Sequence, residues 1–161
     1  MPEALASESI YTHQYVSNGN FCEVSWMSSL TFVVGTILML ISAIHVLWGL
    51  GVVWPAADAE DLAQMVIGGA PGRKMASSGP CFAVASVLFV AALGALSALG
   101  GISDWVRLGT TVVLGLRGVG GFFDTTLRPS IRGSTYVRLN LVLYSPLCLL
   151  LAALLLLDRL L

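Results

Sequence analysis

Three small groups of residues could do chemistry in a chain that is otherwise apolar. In the stretch His45-Val46-Leu47-Trp48-Gly49-Leu50-Gly51-Val52-Val53-Trp54-Pro55, the i, i+3, i+4 spacing puts His45, Trp48 and Gly49 on one helix face. A histidine beside an indole can hold a ligand, pass a proton or ligate a haem iron. In Leu116-Arg117-Gly118-Val119-Gly120-Gly121-Phe122-Phe123-Asp124, Arg117 and Asp124 lie two helical turns apart, on the same face and separated by about 10 Å. They flank Gly120 and Gly121, which leaves room for a partner helix or a ligand. Asn140, Tyr144 and Cys148 then recur at fourfold spacing, with Pro146 removing a backbone donor among them. Aromatic walls with one or two charged groups suit an anionic or polar head group. No nucleophile–base pair accompanies these residues, so none is assigned as catalytic.

Metal and redox chemistry have little footing in the sequence. Cys22, Cys81 and Cys148 form no CxxC or His-spaced pattern, so no metal site, disulfide framework or cofactor is expected. The run Gly68-Gly69-Ala70-Pro71-Gly72-Arg73-Lys74 lacks the spacing of a phosphate-binding loop and reads as a loop tip. With a formal charge of −1, nothing in the charge balance favours nucleic acid as a partner.

The elements that must position these groups are membrane helices. Apolar residues make up 57% of the chain and charged ones 11%, too apolar for a soluble domain of 161 residues. Stretches without Asp, Glu, Lys or Arg run from Val24 to Ala57, Met75 to Ser103 and Leu139 to Leu157. Each reaches the roughly 18 residues of a spanning helix. A fourth apolar segment, interrupted by Arg117, must lie between the second and the last. The expected fold is therefore all-α, an integral membrane four-helix bundle over residues 28–161 with spans near 28–53, 81–99, 105–123 and 139–157. Trp26 and Trp54 bracket the first span as interfacial anchors, Pro55 is expected to end it, and a short helix is expected to run through Val66. Ser103 or Asp104 is expected to cap the third span. Residues 1–27 read as a polar acidic tail, and Met27 is compatible with a start codon placed too far upstream.

Four spans put the two longer loops on one side. That side holds Arg73, Lys74, Arg128, Arg132 and Arg138, against Arg107 and Arg159 on the other, which favours cytoplasmic long loops in a cell membrane. The same topology gathers the Trp48–Pro55, Arg117–Asp124 and Tyr136–Tyr144 segments at one face. There His45, expected about 13 Å inside the end of the first helix, and Arg117 would be ionisable groups out of bulk water. Such groups either fix helix packing through a buried hydrogen-bond network or line a pocket.

The motifs His45-x-x-Trp48-Gly49-x-Gly51-x-x-Trp54-Pro55, Leu116-Arg117-Gly118-x-Gly120-Gly121-Phe122 and Leu143-Tyr144-Ser145-Pro146-Leu147-Cys148 resemble those of the bacterial "domain of unknown function 3995" family of small four-span membrane proteins. The resemblance runs from about Leu30 to Leu156. It implies the four-helix architecture and marks these residues as family features, but implies no activity. Where the family pattern leads one to expect an aspartate shortly before Tyr-Ser-Pro-Leu-Cys, this chain has Asn140; the acidic tail lies outside the pattern.

The leading expectation is a non-enzymatic membrane protein that binds a small amphipathic or lipid-like ligand, or a membrane partner, in a pocket built from His45, Trp48, Gly49, Arg117, Gly120, Gly121, Asp124, Asn140 and Tyr144. A membrane enzyme or haem protein using His45 is the first alternative. A transporter or channel subunit working as a homo-oligomer is the second.

Overall fold

The computed structural model describes residues 29–68 and 77–160. The acidic tail, Cys22, Trp26 and the loop residues from Gly69 through Arg73 and Lys74 lie outside the described residues. Among the described residues all regular structure is helical. The elements are α1 (Ser29–Gly49), α2 (Ala59–Val66), α3 (Ser78–Ala95), α4 (Ser103–Leu127) and α5 (Thr135–Leu160), with single 3₁₀ turns at Gly100–Ile102 and Pro129–Ile131. Three of them, α1, α3 and α5, are long and apolar enough to cross a membrane. The remaining long helix, α4, has 25 residues, about 37 Å at 1.5 Å per residue, and carries Asp104, Arg107, Arg117 and Asp124.

The four long helices meet in one core of Val34 and Leu38 from α1, Ala91, Ala92 and Ala95 from α3, Leu114 from α4, and Leu151, Ala152 and Leu155 from α5. Alanine and glycine at the contacts let the backbones approach closely, so that dispersion and hydrogen bonds can hold apolar helices together. Antiparallel neighbours follow from the register. Gly35 of α1 lies under Leu96 while Gly49 lies under the ring of Phe82, and Ser42 Oγ donates to Ala85 O at 2.8 Å between them. Gly94 of α3 receives Val106, and Gly118 of α4 receives Leu149. The outward faces carry large exposed side chains such as Phe32, Leu40, Val87, Val113, Leu116, Phe123 and Val142. A surface of this kind suits lipid as solvent better than water.

The ends of the helices depart from the expected bounds, and each departure has a local cause. α1 stops at Gly49, well before Pro55, because a Schellman turn closes it. The Gly51 N–H donates to Trp48 O and the Val52 N–H to Leu47 O, both at 3.0 Å, with Gly51 in the left-handed region at φ +89°. His45 consequently sits one turn from the helix end, about 6 Å, rather than 13 Å inside it. A second turn of the same type ends α3 at Ala95, with Ser97 at φ +57° and the Ala98 N–H on Leu93 O at 2.9 Å. Neither Ser103 nor Asp104 caps α4, whose N-cap position is Ile102 and receives no side-chain bond. α2 forms as expected around Val66. Asp58 caps it through bonds to the Glu60 and Asp61 N–H groups at 2.8 and 2.9 Å, while Leu62 and Ala63 are buried.

α5 is not uniformly α-helical. Residues Asn140–Tyr144 form one π-helical turn, in which the Ser145 N–H reaches Asn140 O. Pro146 supplies the reason: it has no N–H for the Val142 carbonyl, and its ring would crowd that carbonyl in an α-helix. Widening the preceding turn removes the conflict.

Candidate functional site

The π turn decides which side chains of α5 face α4. In regular α-helix Asn140 would share a face with Tyr144; with one extra residue in the turn, Asn140 is followed instead by Ser145. Both are buried, at 1% and 0% exposure. Asn140 Nδ2 donates to Gly121 O at 2.7 Å, and its Oδ1 accepts from Ser145 Oγ at 3.2 Å and from Arg117 Nη2 at 2.9 Å. Asn140 thus spends nearly all its hydrogen-bonding capacity on one glycine carbonyl, one hydroxyl and one guanidinium.

Gly121 makes this approach feasible. A Cβ there would run into Ser145 Oγ, and would lie 2.7 Å from Arg117 Nη1 and 3.0 Å from Asn140 Nδ2. Gly118, one turn earlier, gives Leu149 the same clearance. Gly120 faces open space, with no atom within 4 Å of where its Cβ would be. Gly120 and Gly121 therefore serve different sides of α4.

Arg117 and Asp124 converge on a residue that the sequence reading left out, Tyr136. Its hydroxyl donates to Asp124 Oδ2 at 2.5 Å and accepts from Arg117 Nη2 at 3.3 Å and from Arg128 Nη2 at 3.3 Å. Arg128 also pairs with Asp124 at 3.1 Å and lies over the Tyr136 ring, 5.4 Å from its centroid. Burial acts against the charge of Arg128, but the Asp124 carboxylate outweighs it and holds the guanidinium above its ordinary pKa. Two guanidinium groups thus meet at one phenol oxygen, and of the two Arg128 alone pairs with the carboxylate beside it. Arg117 bonds only through Nη2, to two uncharged acceptors, and no carboxylate lies within ion-pair distance of it among the described residues.

The remaining expected site residues lie elsewhere. Tyr144 faces α2, donating to Met65 O at 3.3 Å, and its ring is 6.4 Å from that of Tyr136. His45, Trp48 and Gly49 form a separate group against α3. His45 Nδ1 is 2.8 Å from Ile41 O, its ring lies 4.9 Å from that of Trp48, and Gly49 takes the Phe82 ring. Trp48 Nε1 donates to Trp54 O at 2.8 Å, which pins the chain after α1 back onto the helix. None of these bonds or ring contacts reaches Arg117, Asn140 or Tyr144. The sequence nonetheless held signals for the missed residues: Asp124 and Arg128, and Tyr136 and Asn140, are i, i+4 pairs. Ser145 gave none, because only a π turn puts it beside Asn140.

The sequence profile of the family described as "Protein of unknown function (DUF3995)" matches residues 38–155. The chain belongs to this family. No curated protein and no solved structure matches it significantly. The matched region contains every residue of the Arg117 network and the His45 group.

Proposed function

We propose that this DUF3995 protein is a multi-pass integral membrane protein, with α4 as the fourth span of a four-helix membrane bundle, and that it binds the anionic head group of a lipid or lipid-like amphiphile at Arg117 and Arg128. The observation that carries the reading is the charge balance around Tyr136. A positive charge within a span is costly unless paired, and among the described residues Arg117 is held by neutral Asn140 and Tyr136 alone. Its Nε and Nη1 remain as charge-assisted donors to a phosphate or carboxylate. Arg117 is ten residues from the Leu127 end of α4, about 15 Å, from where a long side chain reaches toward the head-group layer.

Orientation supports the same reading. The arginines of the long loops favour placing this end on the cytoplasmic side, where anionic lipids enrich the leaflet. A carboxylate at position 140 would neutralise Arg117 internally; asparagine positions the guanidinium and leaves its charge for a ligand.

Thermal melting of the purified protein across a lipid panel tests the proposal. Phosphatidylglycerol is expected to raise the melting temperature by at least a few degrees over phosphatidylcholine of the same chain length, and Arg117→Gln to abolish the difference. Equal melting in both lipids, or a difference that survives in Arg117→Gln, contradicts it.

A further inference from the structure

The opposite end of the helices carries a second polar cluster, built around Arg107. Its Nε donates to Gly94 O at 3.1 Å, and its Nη2 to Ala95 O at 3.5 Å and to Ser97 Oγ, so that one guanidinium ties together the backbone turn where α3 ends. Nη1 faces Asp158 Oδ2 at 3.4 Å and Asp104 Oδ1 at 3.8 Å. Asp158 is 8% exposed, and among the described residues its carboxylate is bonded through that long contact with Arg107 alone. A buried carboxylate has room for about four hydrogen bonds, and one so poorly supplied is costly unless further donors reach it.

A cavity of about 310 Å³ opens beside it, lined by Asp104, Arg107, Asp158 and Arg159 together with Leu108 and Leu156. That volume lies at the lower end of the roughly 300–1,000 Å³ of small-molecule sites. Its lining brings together two guanidinium groups, two carboxylates and leucine side chains. Asp158 is near the end of α5 and Trp105, 75% exposed, flanks the start of α4, which marks this level as the membrane–water interface.

We infer that this cavity is a binding site for a zwitterionic phosphoamine, with its primary ammonium donating to Asp158 and Asp104, its phosphate held by Arg159, and apolar substituents lying on Leu108 and Leu156. A net-neutral cluster favours neither a simple anion nor a simple cation, whereas a ligand carrying both charges complements each half. A primary ammonium brings three donors to the carboxylates; a trimethylated one brings none. The site is separate from Arg117 and does not depend on the function proposed there.

Native mass spectrometry of the full chain, released from nanodiscs of phosphatidylethanolamine, phosphatidylcholine and phosphatidylglycerol with identical acyl chains, tests the inference. Phosphatidylethanolamine is expected to be retained over phosphatidylcholine by about tenfold, the scale of a charge-assisted hydrogen bond. Asp158→Asn should remove that preference, while Arg117→Gln should leave it intact. Asp104→Asn, at an exposed side chain, should weaken it and serves if Asp158→Asn fails to fold. Displacement of the retained lipid by soluble O-phosphoethanolamine would support the site with a free zwitterion as ligand, and retention would support it with the lipid. Equal retention of phosphatidylcholine, or an Asp158→Asn protein with the preference unchanged, overturns the inference.

Discussion

At the scale of single residues, Asn140 and Gly121 govern the candidate site. Gly121→Ala places a methyl group against Ser145 Oγ, inside a contact between α4 and α5 that has no slack. Overpacking of this kind costs about 1–3 kcal/mol, and a lower melting temperature with loss of anionic-lipid stabilisation is expected. Gly120→Ala, where open space surrounds the position, should leave both nearly unchanged and serves as the matched comparison. The sequence already marked Arg117, Asp124 and Asn140 as polar groups with reason to meet, because charges inside apolar stretches need partners. It did not reveal that the meeting point is a phenol oxygen. Tyr136 stands in the sequence only as the start of the Tyr136–Tyr144 segment, and its role emerges only when the loop after α4 folds it back over Asp124.

At the scale of elements, local stereochemistry set the helix ends and the face that α5 presents. Pro146→Ala restores the missing donor and lets residues 140–146 return to α-helix, which turns Asn140 away from Gly121. The expected outcome is unchanged helix content by circular dichroism with weakened anionic-lipid binding; unaltered binding would mean that the π turn does not position the site. At the end of α1, Gly51→Ala forces a side chain into the left-handed region and should cost about 1 kcal/mol, read as a lower melting temperature. The existence of four long helices followed from the apolar runs, but their ends did not. Pro55 is the conspicuous stop signal, yet Gly51 closes α1 first, and that shift brings His45 out to the last turn. The fourfold stripe of Asn140, Tyr144 and Cys148 assumed a regular helix; the π turn splits it, sending Tyr144 toward α2.

At the scale of the whole molecule, the arrangement is a thin core of alanine, leucine and glycine contacts with polar clusters at its two ends. The Arg117 cluster carries a surplus of positive charge, while the Arg107 cluster balances its charges. If α4 spans the bilayer, Gly101 before α4 and Ser130 after it face opposite sides. Cysteines introduced at these positions in a background lacking Cys22, Cys81 and Cys148 should label with a membrane-impermeant maleimide from opposite sides of oriented vesicles. Labelling of both from one side would mean that α4 does not cross. The charges of α4 made its role the hardest to read from sequence, since the residues that place the polar site also lower the hydropathy that identifies a span.

The most direct test of anion binding at Arg117 is the phosphatidylglycerol-dependent melting shift of Asn140→Asp beside the wild-type protein. A carboxylate at position 140 pairs with Arg117 and takes the place of the ligand, so the shift over phosphatidylcholine is expected to disappear while the variant still melts cooperatively. A shift in Asn140→Asp as large as that of the wild type would contradict the proposal that the unpaired charge of Arg117 is what binds the head group.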